Sequence, residues 1–442
     1  MKISLSDHFN YRKLLRFTLP SIAMMIFTSV YGVVDGYFVS NFAGKTPFAA
    51  VNIIYPFIMI LGSVGFMFGT GGSALIARFM GEGDHKRAKR TFSLIIYVSL
   101  ALGIILSALG IIFIRPIAAM LGAEGQLLED AVTYGRIILM ANPAFILQME
   151  FQSFMITAEK PQLGLLVTVG AGVTNMVLDA LLVAVFSFGL KGAATATALS
   201  QVVGGVIPLF YFSLPNKSLL KLGKTRWDGK SMLRTCTNGS SELMSQISMS
   251  LVSMLYNGQL LKYAGENGVA AYGVIMYVCF IFIAVFIGYS IGTAPVVSYN
   301  FGSQNHKELK SLLRKSVVII GVVSVCMVIL AECLATPLSL LYVGYDEKLL
   351  SLTSRAFFIS SVSFLFSGFA IYFSGFFTAL NDGLTSAVLS FMRTLVFQIG
   401  AVLLLPLIFG IDGIWLSFIV SDGLAVAVGV IFIFAKKKKY HY

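Results

Sequence analysis

PSIAMMIFTSVYGVVDGYFVSNFAGKTPFAAVNIIYPF, residues 20–57, and GTGGSALIARFMGEGDHKRAKR, residues 69–90, together decide how the chain is read. An apolar segment carrying one carboxylate, Asp35, leads into a second apolar segment and then into a glycine-bracketed basic loop. A helix needs about 20 mainly apolar residues to cross a bilayer, so this stretch predicts two consecutive spans. The rest of the chain repeats the pattern. Of its 442 residues, 57% are hydrophobic and 12% charged, with a mean hydropathy of +0.86, against roughly 25% charged in soluble domains. That composition predicts an all-α polytopic membrane protein.

Twelve spans can be placed, near residues 17–40, 47–77, 92–113, 134–157, 162–186, 191–213, 236–263, 268–299, 316–338, 354–379, 384–409 and 412–435. Net charge is +12. The Lys and Arg residues lie in short connections, which speaks against a nucleic-acid partner and for the orientation signal of membrane proteins. Alternate connections hold 24 of the 32, at 2–16, 78–90, 160, 217–234, 307–315 and 436–439. This predicts a multi-pass protein of the cytoplasmic (inner) membrane with both termini cytoplasmic. No small-residue cleavage site follows the basic start, so the first span is expected to be retained. Cys236, Cys279, Cys326 and Cys333 show no metal-ligand spacing, and no transition-metal site is expected.

An internal repeat of 221 residues relates Gly71 to Gly292, Gly81, His85, Lys86 and Lys89 to Gly302, His306, Lys307 and Lys310, and Pro116 to Pro337. Ser153 and Ser374, Ala158 and Ala379, and the FGLKG and FGIDG turns fall in the same register. Six spans per half give the halves the same orientation, so these are parallel repeats. The expected domains are an N-terminal six-helix bundle (1–216), a cytoplasmic linker (217–234) and a C-terminal six-helix bundle (235–442).

Ionisable groups inside spans cost about 3 kcal/mol each on insertion scales, so each is a functional candidate. They are Asp35, Glu150, Asp179, Glu242, Glu332, Arg393 and Asp422. At 1.5 Å rise per residue, Asp35, Asp179 and Thr197 all lie roughly 8 to 10 Å below the outer boundary. Asn175 is one turn from Asp179 on the same helix face. Two carboxylates, an amide and a hydroxyl make an all-oxygen set suited to a hard monovalent cation. Their second-half counterparts, Tyr256, Val396, Gly400 and Phe418, keep none of it. Packing carboxylates bonded to neighbouring helices are the plainer reading. Arg393 and Asp422, near the midplane, read as a structural ion pair or as a substrate contact. Glu150, between Gln148 and Gln152, and Glu242 either line a cleft or satisfy a local network. No P-loop, HExxH, GxSxG or cofactor fingerprint is present, so neither an enzyme nor a cofactor is expected.

The combination of Pro20 with Asp35, VDGYFVSNFAGKTPFAAVNIIYPF, GTGGSALIARFMGEGDHKRAKR, NMVLDALLV and GLKGAATATALSQ resembles the multidrug and toxic compound extrusion (MATE) transporters over nearly the whole chain. The resemblance implies two six-helix bundles around a central cleft, open alternately to either side. It implies antiport of amphipathic, often cationic compounds against Na+ or H+. A cation site would match Asp35, Asn175, Asp179 and Thr197, and Pro20 would match a proline associated with bending of the first helix. Some members carry a carboxylate in the tenth span, where this chain has none unless Asp382 is counted. The expected partners are small-molecule substrates and the lipid bilayer, and the expected state is a monomer. The competing readings are a flippase of a lipid-linked saccharide or peptidoglycan precursor, a membrane transferase, and a receptor or scaffold.

Overall fold

The computed structural model describes residues 3–216, 218–344 and 346–442. Lys2 and Lys217 of the basic connections lie outside the described residues. In order, the helices are α1 (Tyr11–Phe38), α2 (Lys45–Gly81), α3 (His85–Met120), α4 (Gly125–Thr157), α5 (Pro161–Asp179), α6 (Gly189–Ser213), α7 (Gly229–Gly302), α8 (His306–Val343), α9 (Glu347–Ser361), α10 (Phe364–Ala379), α11 (Gly383–Phe391), α12 (Gln398–Leu404), α13 (Pro406–Phe409) and α14 (Ile411–Tyr440). There is no strand among the described residues.

Nine of these helical stretches are long and apolar enough to cross a membrane, ten when α9 and α10, bent by 49°, count as one span. The expected span at 354–379 is therefore broken near Val362 rather than straight. The other two of the twelve are α4 and the part of α7 before Gly265, where φ of 61° and ψ of −151° interrupt the helix. They fall short on apolarity because they carry buried polar groups, among them Asn142, Gln148, Glu150 and Gln152 in α4 and Asn238, Ser241 and Ser248 in α7. Helices packed among other helices can hold such groups, whereas lipid-facing ones cannot.

The repeat is visible in the backbone. Left-handed residues pair at 221 as Gly44 with Gly265, Gly83 with Gln304 and Gly189 with Gly410, and the helix caps Asp84 and Asn305 match at the same spacing. The single register does not hold throughout. The caps Glu124 and Lys160 pair with Asp346 and Asp382, and left-handed Glu159 with Asn381, each at 222. One extra residue enters between α8 and α9. The register is back at 221 by Gly189 and Gly410, so between Lys160 and Gly189 the first half holds one residue more than the second, in the interval that contains the π-helical stretch Ala180–Val185, and a π turn admits one more residue than an α turn.

The halves meet backbone to backbone at the end that carries the basic connections. A Cβ on Gly81 would lie 2.0 Å from the Tyr299 carbonyl oxygen, and one on Gly302 would lie 2.2 Å from that of Arg78. Arg78 and Tyr299 are themselves repeat mates, so the two contacts interchange under a two-fold relation. Deeper in, a Cβ on Gly71 would lie 2.1 Å from the Thr235 oxygen and one on Gly239 would lie 1.9 Å from the Met67 oxygen.

A strap formed by residues 4–9 crosses the same end. Ser4 Oγ and the Leu5 amide donate to Glu159 Oε1 (2.6 and 2.9 Å) in the first half. The Phe9 amide donates to Glu308 Oε1 (2.9 Å) in the second, where His8 Nδ1 lies 2.6 Å from Glu308 Oε2. Leu5 and Phe9 are fully buried. The linker lies along α3, with the Gly223 amide donating to Ser93 Oγ and Thr225 Oγ1 to the Arg90 carbonyl (3.1 and 2.8 Å). Asp382 caps α11 and accepts from Lys436 Nζ (2.7 Å) and the Tyr440 hydroxyl (2.8 Å). Burial works to raise its carboxyl, but the bonds from Lys436, Tyr440 and Thr385 outweigh that and hold it below the usual carboxylate range.

Replacing Gly239 with Ala puts a methyl into the Met67 carbonyl, and overpacking of this kind costs about 1 to 3 kcal/mol. The expected outcome is a thermal midpoint several degrees lower for the detergent-purified protein. Gly258→Ala, at a position with open space around it, should stay near the parent value in the same measurement.

Candidate functional site

Three helices bring the four oxygen-bearing residues together. Asp35 lies in the last turns of α1, Asn175 and Asp179 close α5, and Thr197 lies two turns into α6. Thr197 Oγ1 donates to Asp35 Oδ1 at 3.0 Å, with Asn175 Nδ2 3.5 Å from the same oxygen and 3.4 Å from Thr197 Oγ1. The Asp179 carboxylate lies within hydrogen-bonding reach of Asp35. Asp179 and Asn175 are buried to 0% and 1% exposure, while Asp35 and Thr197 are half-buried.

Three acceptors here have no donor: both carboxylate oxygens of Asp179 and the amide oxygen of Asn175. An unpaired buried polar group costs several kcal/mol, and an unpaired charge far more. The set is complete only with a positive charge or a proton at its centre. Both carboxylate helices widen into π turns immediately beyond, at Val39–Ala43 and Ala180–Val185, an irregularity frequent at functional sites.

Tyr134 of α4 lies in the electrostatic neighbourhood of both carboxylates, and Tyr31 and Tyr55 in that of Asp35. The sequence reading passed over these phenols because it followed formal charge. Tyr134 opens the expected span 134–157, so the depth argument that grouped the other four set it at the outer boundary, away from them.

In the second half the equivalent place is filled. Tyr256 and Phe418, counterparts of Asp35 and Thr197, stack at 4.8 Å, and Tyr256 also stacks on Tyr272 at 5.3 Å. The Tyr256 hydroxyl is 2.5 Å from Ser417 Oγ.

The other candidates fall into two places. Glu150 is fully buried within the first half and accepts from Ser99 Oγ of α3 at 2.9 Å. Arg393 Nε donates to Asp422 Oδ1 at 2.8 Å, Ser367 Oγ donates to Asp422 Oδ2, and Glu242 sits within electrostatic range of Arg393. Arg393 and Asp422 thus form an ion pair in the second half, on which Glu242 acts electrostatically without a direct bond among those described. Glu332 is hydrogen-bonded by Ser361 (3.4 Å). Helix α1 runs unbroken through Pro20. Among the described residues no group of three His, Cys, Asp or Glu could hold a metal ion.

The MatE family model matches residues 20–181 and 242–404, one block in each half. The chain belongs to the MATE family. MATE proteins are transporters rather than enzymes. Multidrug export protein MepA of Staphylococcus haemolyticus (strain JCSC1435) is 28% identical over 324 residues, covering 72% of this chain and 71% of that protein. MepA of Staphylococcus aureus (strain MRSA252) is 24% identical over 429 residues, covering 96% and 93%. A crystal structure of MATE in complex with MaL6 superposes with a TM-score of 0.92 at 23% identity, covering 98% of each chain. The MATE fold, with its two bundles, is thus the fold of this multi-pass membrane protein.

Truncating Arg393 to Met leaves Asp422 buried without its counter-ion, a loss of about 3 kcal/mol or more. The double variant Arg393→Met/Asp422→Leu should recover much of it, as read from thermal unfolding of all four members of the double-mutant cycle.

Proposed function

We propose that this MATE protein is a secondary active antiporter exporting amphipathic, cationic drug-like compounds in exchange for Na+ or H+. The observation that carries the reading is the donor-less oxygen set of Asp179 and Asn175 beside Asp35. A monovalent cation or a proton entering there meets carboxylate, amide and hydroxyl oxygens and neutralises the cavity. The MepA relatives are named for multidrug export, which supports drug-like cargo. The basic connections at one end support an inner-membrane orientation with cytoplasmic termini. The halves close on each other at that end, which supports an outward-facing state. The protein acts as a monomer, each copy carrying its own site and cleft.

Coupling requires the ion to bind the outward- and inward-facing states unequally. A site on α1, α5 and α6 meets that need if those helices change their packing as the bundles rock, since hydration of a buried charge is a large free-energy difference. Glu242, Arg393 and Asp422 line the second-half wall of the cleft, with one net negative charge available to a cationic substrate. Pro20 leaves the carbonyl one turn before it without an amide partner, a weak point where α1 can bend. A flippase of pyrophosphate-linked precursors would need a free cation in the cleft, whereas Arg393 is committed to Asp422.

In proteoliposomes loaded with a fluorescent cation, Asp35→Asn and Asp179→Asn should each reduce gradient-driven transport at least about tenfold, within the usual range of coupling energies. Imposing a Na+ gradient and then a pH gradient identifies the coupling ion. Export and ion dependence both intact in the two variants would overturn the proposal.

A further inference from the structure

From Thr197 and Asn175 of the oxygen set, the interior of the first half continues into a series of polar side chains that the proposed site does not use. Thr197 and Gln201 share one face of α6, Asn175 and Thr168 one face of α5, and Gln148 and Gln152 one face of α4. All but Thr197 are at most 8% exposed. Counted at 1.5 Å per residue from the basic end of each helix, Thr197, Asn175, Gln201, Gln148, Thr168 and Gln152 stand at depths of roughly 24, 21, 18, 14, 10 and 8 Å. The steps are thus about 2 to 4 Å, the scale of one hydrogen bond or one water, and they alternate among three helices.

Apart from the Asn175–Thr197 bond, the amides of the series have unpaired ends. Gln201 Oε1, Gln148 Oε1 and Gln152 Nε2 are buried without a protein partner, in an interior where such groups are normally paired. Gln148, Gln152, Thr168, Gly204 and Pro208 are among the residues lining a cavity of about 10 Å³, room for about one water. Gly204 creates part of that room, because a Cβ there would lie 2.5 Å from Gln148 Cδ.

The second half supplies a contrast. At the 222 register, Gln148, Gln152 and Thr168 correspond to Ala370, Ser374 and Ser390, and the last two bond each other at 2.9 Å. Gln201 corresponds to Asp422, which is held by Arg393 and Ser367. At these positions the half without the oxygen set has paired its polar groups with protein partners. The half with it has kept long amides and left their ends unpaired.

We propose that this polar ladder is the release path of the coupling ion, carrying a hydrated monovalent cation or a proton from the Asp35/Asp179 cavity through the interior of the first bundle to the basic end, apart from the substrate's route in the central cleft. It rests on the antiport reading above. Gln148 and Gln152 act as transient oxygen ligands or, for a proton, as donors and acceptors to intervening water, and Thr168 bridges them. No gate of formal charge is needed along the path. Separate routes let the ion leave while the cleft still holds or receives substrate.

The test compares gradient-driven export with gradient-independent exchange of the same fluorescent cation in proteoliposomes. Gln148→Leu/Gln152→Leu should lower gradient-driven export about tenfold or more, with exchange and substrate affinity within about twofold of the parent. Thr168→Val, nearly isosteric and suited to retain the fold, and Gly204→Ala, which crowds Gln148, should move the same readout in the same direction by smaller factors. Gln152→Cys, in a background lacking the native cysteines, should react with a membrane-impermeant thiol reagent from the basic side, and more slowly when the coupling ion is in excess. If export stays within twofold in all three ladder variants, or falls only in parallel with exchange and thermal midpoint, the ladder is a structural water site and the proposal fails. Asp35→Asn run alongside separates the two readings: loss of coupling there with intact ladder variants overturns the path alone, whereas intact coupling there overturns the antiport site itself.

Discussion

The contact of α2 with α7 at the basic end, peptide against peptide with no side chain between, sets the geometry of everything above it. Gly71, Gly81, Gly239 and Gly302 let carbonyls of one half sit where a methyl would otherwise stand. Without a hydrophobic driving force in lipid, helix association relies on such close approach and the dispersion it recovers. Because the Gly81 and Gly302 contacts interchange under the repeat, neither half is the fixed partner there. The bundles are joined along a seam near their two-fold axis, and the cleft lies beyond it.

Two halves of common plan have been put to different use. The first keeps an unsaturated oxygen cavity at Asp35, Asn175, Asp179 and Thr197, whereas the second fills the same place with Tyr256, Tyr272 and Phe418. An aromatic stack contributes packing and asks for nothing. An unpaired carboxylate destabilises its own bundle, and proteins retain such groups where function requires them. The second half carries charge too, but there Asp422 is paired with Arg393.

Much of this was legible in the chain itself. Ten of the twelve spans follow from apolar length, one of them as a bent pair, and the grouping of the four site residues follows from counting rise per residue from span ends, which works because bilayer thickness aligns helices in depth. What escaped has physical causes. The one-residue slip over α4, α5 and their mates was masked by coincident matches such as Ser153 with Ser374. Only caps and left-handed residues, which report backbone rather than composition, reveal it. The break between α9 and α10 leaves no proline or glycine at the bend, since residues 361–364 read Ser-Val-Ser-Phe. Tyr134 and the two glutamates that hold the strap were overlooked because phenols carry no formal charge and loop glutamates look solvated.

The strap has a further meaning as a ruler. Leu5 is bonded to one half and His8 to the other, and three residues at full extension reach about 11 Å. Glu159 and Glu308 can therefore part only by the slack left in that segment before one set of bonds gives way. The amplitude of any rocking at this end is bounded by chain length rather than by the strength of the seam, and one residue more or less in the strap would change the travel of the machine without touching either bundle.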